Sequence, residues 1–155
     1  PFPTVNFSLL PVCENDTVRF TNFSFIGSGT LNYFWQFGDG NTSLAFEPTH
    51  VYTDTSGNIP VTLIATSGFG CADTITKNTI IYPAPDVDFT FSNSCFGESV
   101  KLMNTSAVIG GTIKSNFWSF GDGEVSQQVS PQKIYAAIGT YTISLTVESN
   151  RGCVD

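Results

Sequence analysis

Residues Asn32–Asn41 read NYFWQFGDGN, and residues Ser115–Glu124 read SNFWSFGDGE. An aromatic run followed by Gly-Asp-Gly is thus written twice, 83 positions apart, in a chain of 155 residues. Gly-Asp-Gly suits a calcium loop, a phosphate cradle or a tight turn. These lead respectively to a metal-binding module, an enzyme or a structural domain.

The repetition extends well beyond the quoted phrases. VNFSLLPVCENDTVRFTNFS from Val5 aligns with VDFTFSNSCFGESVKLMNTS from Val87. Cys13 falls over Cys95, Val18 over Val100, Asn22 over Asn104, Trp35 over Trp118 and Tyr52 over Tyr135. VTLIATSGFGCAD from Val61 aligns with ISLTVESNRGCVD from Ile143. The offset stays at 82 or 83, so the chain is two homologous units, residues 1–82 and 83–155. They join through YPAPDV, Tyr82 to Val87. Two prolines separated by one residue make that linker short and stiff.

Hydrophobic alternation has a period of two, the signature of half-buried strands. Val18, Phe20 and Asn22 alternate with Thr17, Arg19 and Thr21. Ile59, Val61, Leu63 and Ala65 repeat the pattern, as do Tyr141, Ile143, Leu145 and Val147. Turn clusters such as GSG, TSGN and SNRG separate the runs. About seven short strands per unit predict an all-β chain of two tandem immunoglobulin-like sandwiches. The pair Trp35 and Phe37, like Trp118 and Phe120, shares one strand face and is expected to anchor each core. Gly38-Asp39-Gly40 and Gly121-Asp122-Gly123 then end their strands as turns. Glycine supplies positive φ, and Asp hydrogen-bonds its own turn.

Composition narrows the function. A net charge of −7 argues against nucleic-acid binding, which needs a basic footprint, and against docking on anionic lipid. No apolar run reaches the ~20 residues of a membrane helix, and direct membrane insertion is not expected. No basic segment precedes an apolar stretch in the manner of a signal peptide. The chain opens at PFPTV and reads as a mature fragment or an excerpt of a longer protein. Only 12% of residues are charged, while Ser, Thr, Asn and Gly abound, which fits an extracellular β protein. Four widely spaced cysteines, none in a C-x-x-C pair, favour disulfides and an oxidising compartment over zinc or redox chemistry.

W-x-F-G-D-G, followed by Pro-Thr-His-Val-Tyr at Pro48–Tyr52 and by GTYTISLTV at Gly139–Val147, resembles the polycystic kidney disease (PKD) domain. The resemblance covers both units. Gln36 and Ser119 stand where that family usually has Asp between Trp and Phe. PKD domains are non-catalytic, and the resemblance implies a spacer or a protein- or glycan-binding module. The cysteine-bearing pattern Cys13–Ser24, with Gly70–Thr74, looks like repeats in surface proteins of Bacteroidota, including gliding adhesins and type IX secretion cargo. In that setting DTV at Asp16 and DTI at Asp73 resemble an O-glycosylation signal, with Thr17 and Thr74 as acceptors.

No catalytic or metal site is expected, and no cofactor. Calcium takes six to eight oxygens, whereas one Asp between glycines supplies few, and the neighbours Asn41 and Glu124 differ. His50 is the only histidine, and unit two has Gln132-Lys133-Ile134 in that region. It is read as a strand residue. No G-x-S-x-G elbow accompanies it. Sequons occur at Asn6, Asn15, Asn22, Asn41 and Asn104; Asn22 and Asn104 are equivalent and read as structural ends of the second strand. Phe69 and Phe96 fall at sandwich ends, where they cap a core or contact another unit or chain.

The cysteines admit two pairings. Cys13 to Cys71 and Cys95 to Cys153 have the same spacing of 58, which follows from the repeat and decides nothing. In a seven-strand sandwich Cys13 lies at the turn before the second strand and Cys71 at the turn after the sixth, at opposite ends. A seven-residue strand spans ~23 Å, whereas a disulfide needs Cα atoms within ~7 Å. The expectation is an interdomain bond between Cys13 and Cys153, with Cys71 and Cys95 facing outward to neighbouring units or chains. Intradomain pairing is the alternative. The expected function is a structural segment, a stiff stalk or fibre-forming part of a surface adhesin or filament. Its partners would be neighbouring PKD units or copies of itself. A glycan- or protein-binding module of a secreted protein is the second reading.

Overall fold

The computed structural model describes residues 1–53 and 57–155, and they contain no helix. The chain divides into two compact units, Pro1–Tyr82 and Pro83–Asp155. Each is an all-β sandwich of the expected class.

The described residues of unit 1 form nine strands: β1 Phe7–Ser8, β2 Val12–Cys13, β3 Thr17–Arg19, β4 Thr21–Asn22, β5 Leu31–Gln36, β6 Thr42–Ser43, β7 Thr49–Val51, β8 Gly57–Ser67 and β9 Ala72–Tyr82. One layer is a five-stranded sheet in the order β2-β9-β8-β5-β6, with β2 parallel to β9. The other layer pairs β1 with β4 and β3 with β7. The expected second strand is thus divided at Phe20, whose amide bonds the Pro48 carbonyl at 3.2 Å. Val18, Phe20 and Asn22 still point inward as the alternation requires.

Pro60 lies inside β8, where a proline costs a ladder bond unless its missing N–H faces away from a partner. A Cβ on Gly38 would meet the Pro60 carbonyl oxygen at 2.4 Å. That carbonyl therefore faces the turn after β5. A strand residue's N–H and C=O point the same way, so the missing donor falls where β5 has ended, and the ladder to β9 is untouched.

Trp35 is fully buried. Phe7 meets it edge-on with ring centroids 5.0 Å apart, Phe20 lies at 5.4 Å, and its indole N–H donates to the Ala45 carbonyl at 3.0 Å. Burying an indole this way satisfies its one donor and leaves the rest of the ring to apolar contact. Val61, Leu63 and Ala65 of β8 complete that core.

Unit 2 has six strands: β10 Phe89–Phe91, β11 Val100–Asn104, β12 Ile113–Ser119, β13 Val125–Ser126, β14 Gln132–Lys133 and β15 Ser144–Ser149. They form two three-stranded sheets, β10-β11-β14 and β13-β12-β15. Trp118 reproduces Trp35: it is fully buried, Phe89 meets it edge-on at 5.0 Å, and its N–H donates to the Gln128 carbonyl at 2.9 Å. Val147 and Asp155 exchange backbone bonds of 2.8 and 3.1 Å. They form the rung that Ala65 and Asp73 occupy in unit 1.

Two predictions follow from this packing. Trp35→Ala and Trp118→Ala should each cost ~3–5 kcal/mol, the range for large aromatic truncations in a core. Chemical denaturation that shows a loss under ~1 kcal/mol would place these rings outside the cores. Gly38 and Gly40 both have positive φ, 85° and 94°, but a side chain at Gly40 enters open space while one at Gly38 strikes β8. Gly38→Ala should therefore lower the melting temperature well beyond Gly40→Ala, and equal shifts would contradict the close approach.

Candidate functional site

The Gly-Asp-Gly turns are the points where the two layers of each sandwich are tied. In unit 1 the Phe37 amide donates to the Asn41 carbonyl at 3.0 Å, and the Asn41 amide donates to Asp39 Oδ1 at 3.0 Å. This is the self-bonded turn expected of Asp. The other carboxylate oxygen, Oδ2, lies 2.6 Å from His50 Nε2 and accepts from Asn41 Nδ2 at 3.1 Å. His50 sits on β7, in the opposite layer. Its ring stacks on Phe37 at 4.3 Å with 6° between planes and meets Tyr52 edge-on at 4.6 Å. The Tyr52 hydroxyl in turn donates to the Phe37 carbonyl at 2.8 Å.

Unit 2 builds the same slot with a lysine in place of the histidine. Asp122 Oδ1 accepts from the Glu124 amide at 3.1 Å. Lys133 Nζ reaches Asp122 Oδ2 at 2.6 Å and Glu124 Oε2 at 2.8 Å. The ammonium lies 5.7 Å from the Phe120 ring centre and 5.4 Å from that of Tyr135, within cation–π range. The Tyr135 hydroxyl donates to the Phe120 carbonyl at 3.0 Å. The Lys133 side chain is 6% exposed, unusual for a lysine and tolerable because it is paired.

Electrostatics follow the geometry. Burial alone would raise the Asp39 carboxyl, but hydrogen bonds from His50 and Asn41 outweigh it and hold it below the ordinary range. The Lys133 hydrogen bond holds Asp122 low, and Asp122 in turn raises Lys133. Burial, then the nearby Asp39 charge, pushes the Tyr52 hydroxyl far up, so it remains a donor.

His50 is therefore a strand residue, as read, and also the partner of Asp39, which the sequence reading missed. A signal was present. Asp39 precedes His50 by eleven residues, Asp122 precedes Lys133 by eleven, and both followers can carry positive charge. Among the described residues no group of three or more His, Cys, Asp or Glu side chains is placed to hold a metal ion.

The other candidate residues are spread over the units. Asn22 and Asn104 spend their amides inside the fold. Asn22 donates to the Phe46 carbonyl at 3.0 Å, Asn104 to Asn116 at 2.7 Å, and each accepts from a serine amide two residues on. Thr17 on β3 and Thr74 on β9 are exposed. Phe69 and Phe96 are 80% and 64% exposed, so neither caps its core. Cys13 lies beside Tyr82, where β9 ends, while Cys71 sits just before β9 begins. An eleven-residue strand spans about 35 Å, far beyond the reach of a disulfide. Cys71 and Cys95 are free thiols, Cys95 exposed and Cys71 half-buried. Cys13 and Cys153 are each in disulfide linkage.

Both units are thus immunoglobulin-like sandwiches, each with an aromatic-backed Asp turn. A family model for the PKD domain matches residues 3–81 and again 82–155. The chain belongs to the PKD domain family. It is 29% identical over 155 residues to the pre-pro-metalloprotease PrtV of Vibrio cholerae, a match that covers 98% of this chain and 16% of that protein. It is 45% identical over 42 residues to the collagenase ColA of Bacillus cereus, covering 27% of this chain and 4% of that protein. The chain therefore spans no more than about a sixth of the curated relatives it matches. Among solved structures, the PKD1 domain of the Vibrio cholerae metalloprotease PrtV is 33% identical with a TM-score of 0.47, covering 52% of this chain and 98% of that domain. The PKD1 domain of Vibrio anguillarum Epp is 30% identical with a TM-score of 0.47, covering 52% and 94%.

The slots carry an acid-side prediction. Both carboxyls are depressed in the folded state, so their contribution is complete above the unfolded carboxylate value and is lost as pH falls through the folded one. Stability should hold down to about pH 5 and decline below about pH 4. Asp122→Asn should lower the melting temperature at pH 7 more than Asp39→Asn. Removing Asp122 leaves the buried Lys133 ammonium with only the exposed Glu124 carboxylate as an ionic partner. The reverse order would contradict the assignment of the slots.

Proposed function

We propose that this chain is a non-catalytic spacer segment of an extracellular protein, two PKD sandwiches joined stiffly by a disulfide between Cys13 and Cys153. The observation that carries this reading is the division of the cysteines. Cys71 and Cys95 keep free thiols while Cys13 and Cys153 are oxidised. A disulfide belongs in an oxidising compartment, which supports a place outside the cell. So does the likeness to part of a pre-pro-metalloprotease and of a collagenase, where a chain of this kind is an accessory to a catalytic region elsewhere. In each slot the carboxylate is engaged by a turn amide and by His50 or Lys133.

Within this reading the free thiols of Cys71 and Cys95 link to neighbouring PKD units or to further copies, as in a surface adhesin or filament of the Bacteroidota type. Thr17 and Thr74 are exposed enough to accept a glycan. A second reading, a glycan- or protein-binding module, is favoured by the exposed rings of Phe69 and Phe96. Peptide mapping of the unreduced protein tests the first reading and should yield one cross-linked pair containing Cys13 and Cys153. NMR relaxation should then give both units a single correlation time, which splits into two in Cys13→Ser. Equal relaxation in the two proteins would remove the spacer role. Glycan-array signal lost in Phe69→Ala or Phe96→Ala would favour binding instead.

A further inference from the structure

The two units cover the same core to different extents. Val18, Tyr52, Ile59 and Val61 are buried in unit 1, while their counterparts Val100, Tyr135, Tyr141 and Ile143 are half-buried. Strand β9 makes the difference. Residues 62–67 of β8 pair with β5, whereas residues 57–61 pair, among the described residues, with β9 alone. Strand β9 also holds Val12 and Cys13 along its other edge, and it turns Thr79 and Ile81 into the core, 3% and 1% exposed. In unit 2 the counterparts of residues 57–61 are residues 139–143, which lie outside β15. The counterparts of Val12 and Cys13 are residues 94–95, which lie outside any strand. These two segments flank a groove of about 350 Å³, lined by Phe91, Cys95, Phe96, Val100, Tyr141 and Ile143. Its rim is apolar, with Phe91 and Phe96 60% and 64% exposed.

A ladder directed into this groove is already begun. Val147 exchanges both backbone bonds with Asp155, and Glu148 bridges to Val154. In unit 1 the same rungs are Ala65 with Asp73 and Thr66 with Ala72, the first of the β8–β9 ladder. A strand in that register lies against residues 139–143 as β9 lies against residues 57–61. Its alternate side chains would meet Ile143 and Tyr141, and its backbone would pair the open edge of β15. A glycan or a small apolar molecule could fill the groove but would not match that edge, whereas a strand satisfies both.

We propose that the groove is the joint for a third PKD unit. It seats a strand of β9's kind, antiparallel to β15, with Ile and Thr turned inward at alternate positions. That strand leads into the third unit as β9 leads through Tyr82 and Pro83 into unit 2. The repeat supplies the partner: β9 is both the last strand of unit 1 and the connection to the next unit. The seated strand would end beside Cys95, as β9 ends beside Cys13. This deepens the spacer reading and rests on it; the Cys13–Cys153 peptide map tests that reading whatever the groove does.

Asp155 aligns with Asp73, so ligating an unlabelled copy of residues 74–155 after Asp155 of the isotope-labelled chain builds a three-unit protein. The β9 sequence then follows Asp155, and only the original units are seen by NMR. Thermal unfolding followed by the indole signals of Trp35 and Trp118 reports each original unit separately. The Trp118 transition should rise by at least about 4 °C, the scale of a modest gain in a domain of this size. Amide exchange at Tyr141 and Ile143 should slow, and the Trp35 transition should stay level. The same ligation with residues 74–82 in scrambled order should produce neither effect. An unchanged Trp118 transition, or an equal rise with the scrambled strand, would overturn the proposal. Should the three-unit protein fail to fold, the free peptide of residues 74–82 titrated into the native chain decides. Amide shifts confined to residues 94–98 and 139–149 support the joint, and shifts elsewhere or none at all overturn it.

Discussion

Each sandwich depends on a carboxylate that crosses between its layers. The Gly-Asp-Gly turn ends a strand of one sheet, and its Asp grips a histidine in unit 1 and a lysine in unit 2 on a strand of the other. The aromatic residue before the turn backs that side chain, and a tyrosine two residues beyond it returns a hydroxyl to the aromatic residue's carbonyl. Layer-to-layer packing of apolar side chains is non-directional and sets no register by itself. Two polar bonds at fixed points do set it. They also sit beside the close approach of Gly38 to β8 and of Gly121 to Thr142, where a side chain would prise neighbouring strands of one sheet apart.

Around that clamp the apolar residues follow simple rules. Trp35 and Trp118 lie two residues upstream of Phe37 and Phe120, so strand pleating puts all four on the inner face. Their indole donors find loop carbonyls ten residues downstream in both units. The repeat thus conserves the partners of polar atoms as faithfully as the apolar positions, as expected if an unpartnered buried donor is the costlier error. Thr79 is the exception: its buried hydroxyl has no partner among the described residues.

The sequence discloses the architecture because strands and repeats leave periodic traces. Val18, Phe20 and Asn22 announce an inward face by alternation alone, and the duplicated phrase announces two units. The break at Phe20 is not legible, since it reflects which neighbour pairs each half of the strand. The role of His50 is partly legible. Its type and spacing repeat as Lys133, but the partnership with Asp39 joins residues from different sheets, and contact across layers has no period. For the same reason the topological separation of Cys13 from Cys71 could be read from strand order, whereas the exposure of Phe69 and Phe96 could not. A turn residue's burial depends on how the loop lies, which local pattern does not encode.

A clamp must couple the two layers energetically rather than merely place two side chains near each other. A double-mutant cycle between Asp39 and His50, measured by chemical denaturation at pH 6, tests this most directly. Asp39→Asn, His50→Gln and the double variant should show a coupling of about 1 kcal/mol or more, as for contacting groups in one polar network. Additivity within ~0.3 kcal/mol would mean that the pair is incidental to the fold and would contradict the clamp.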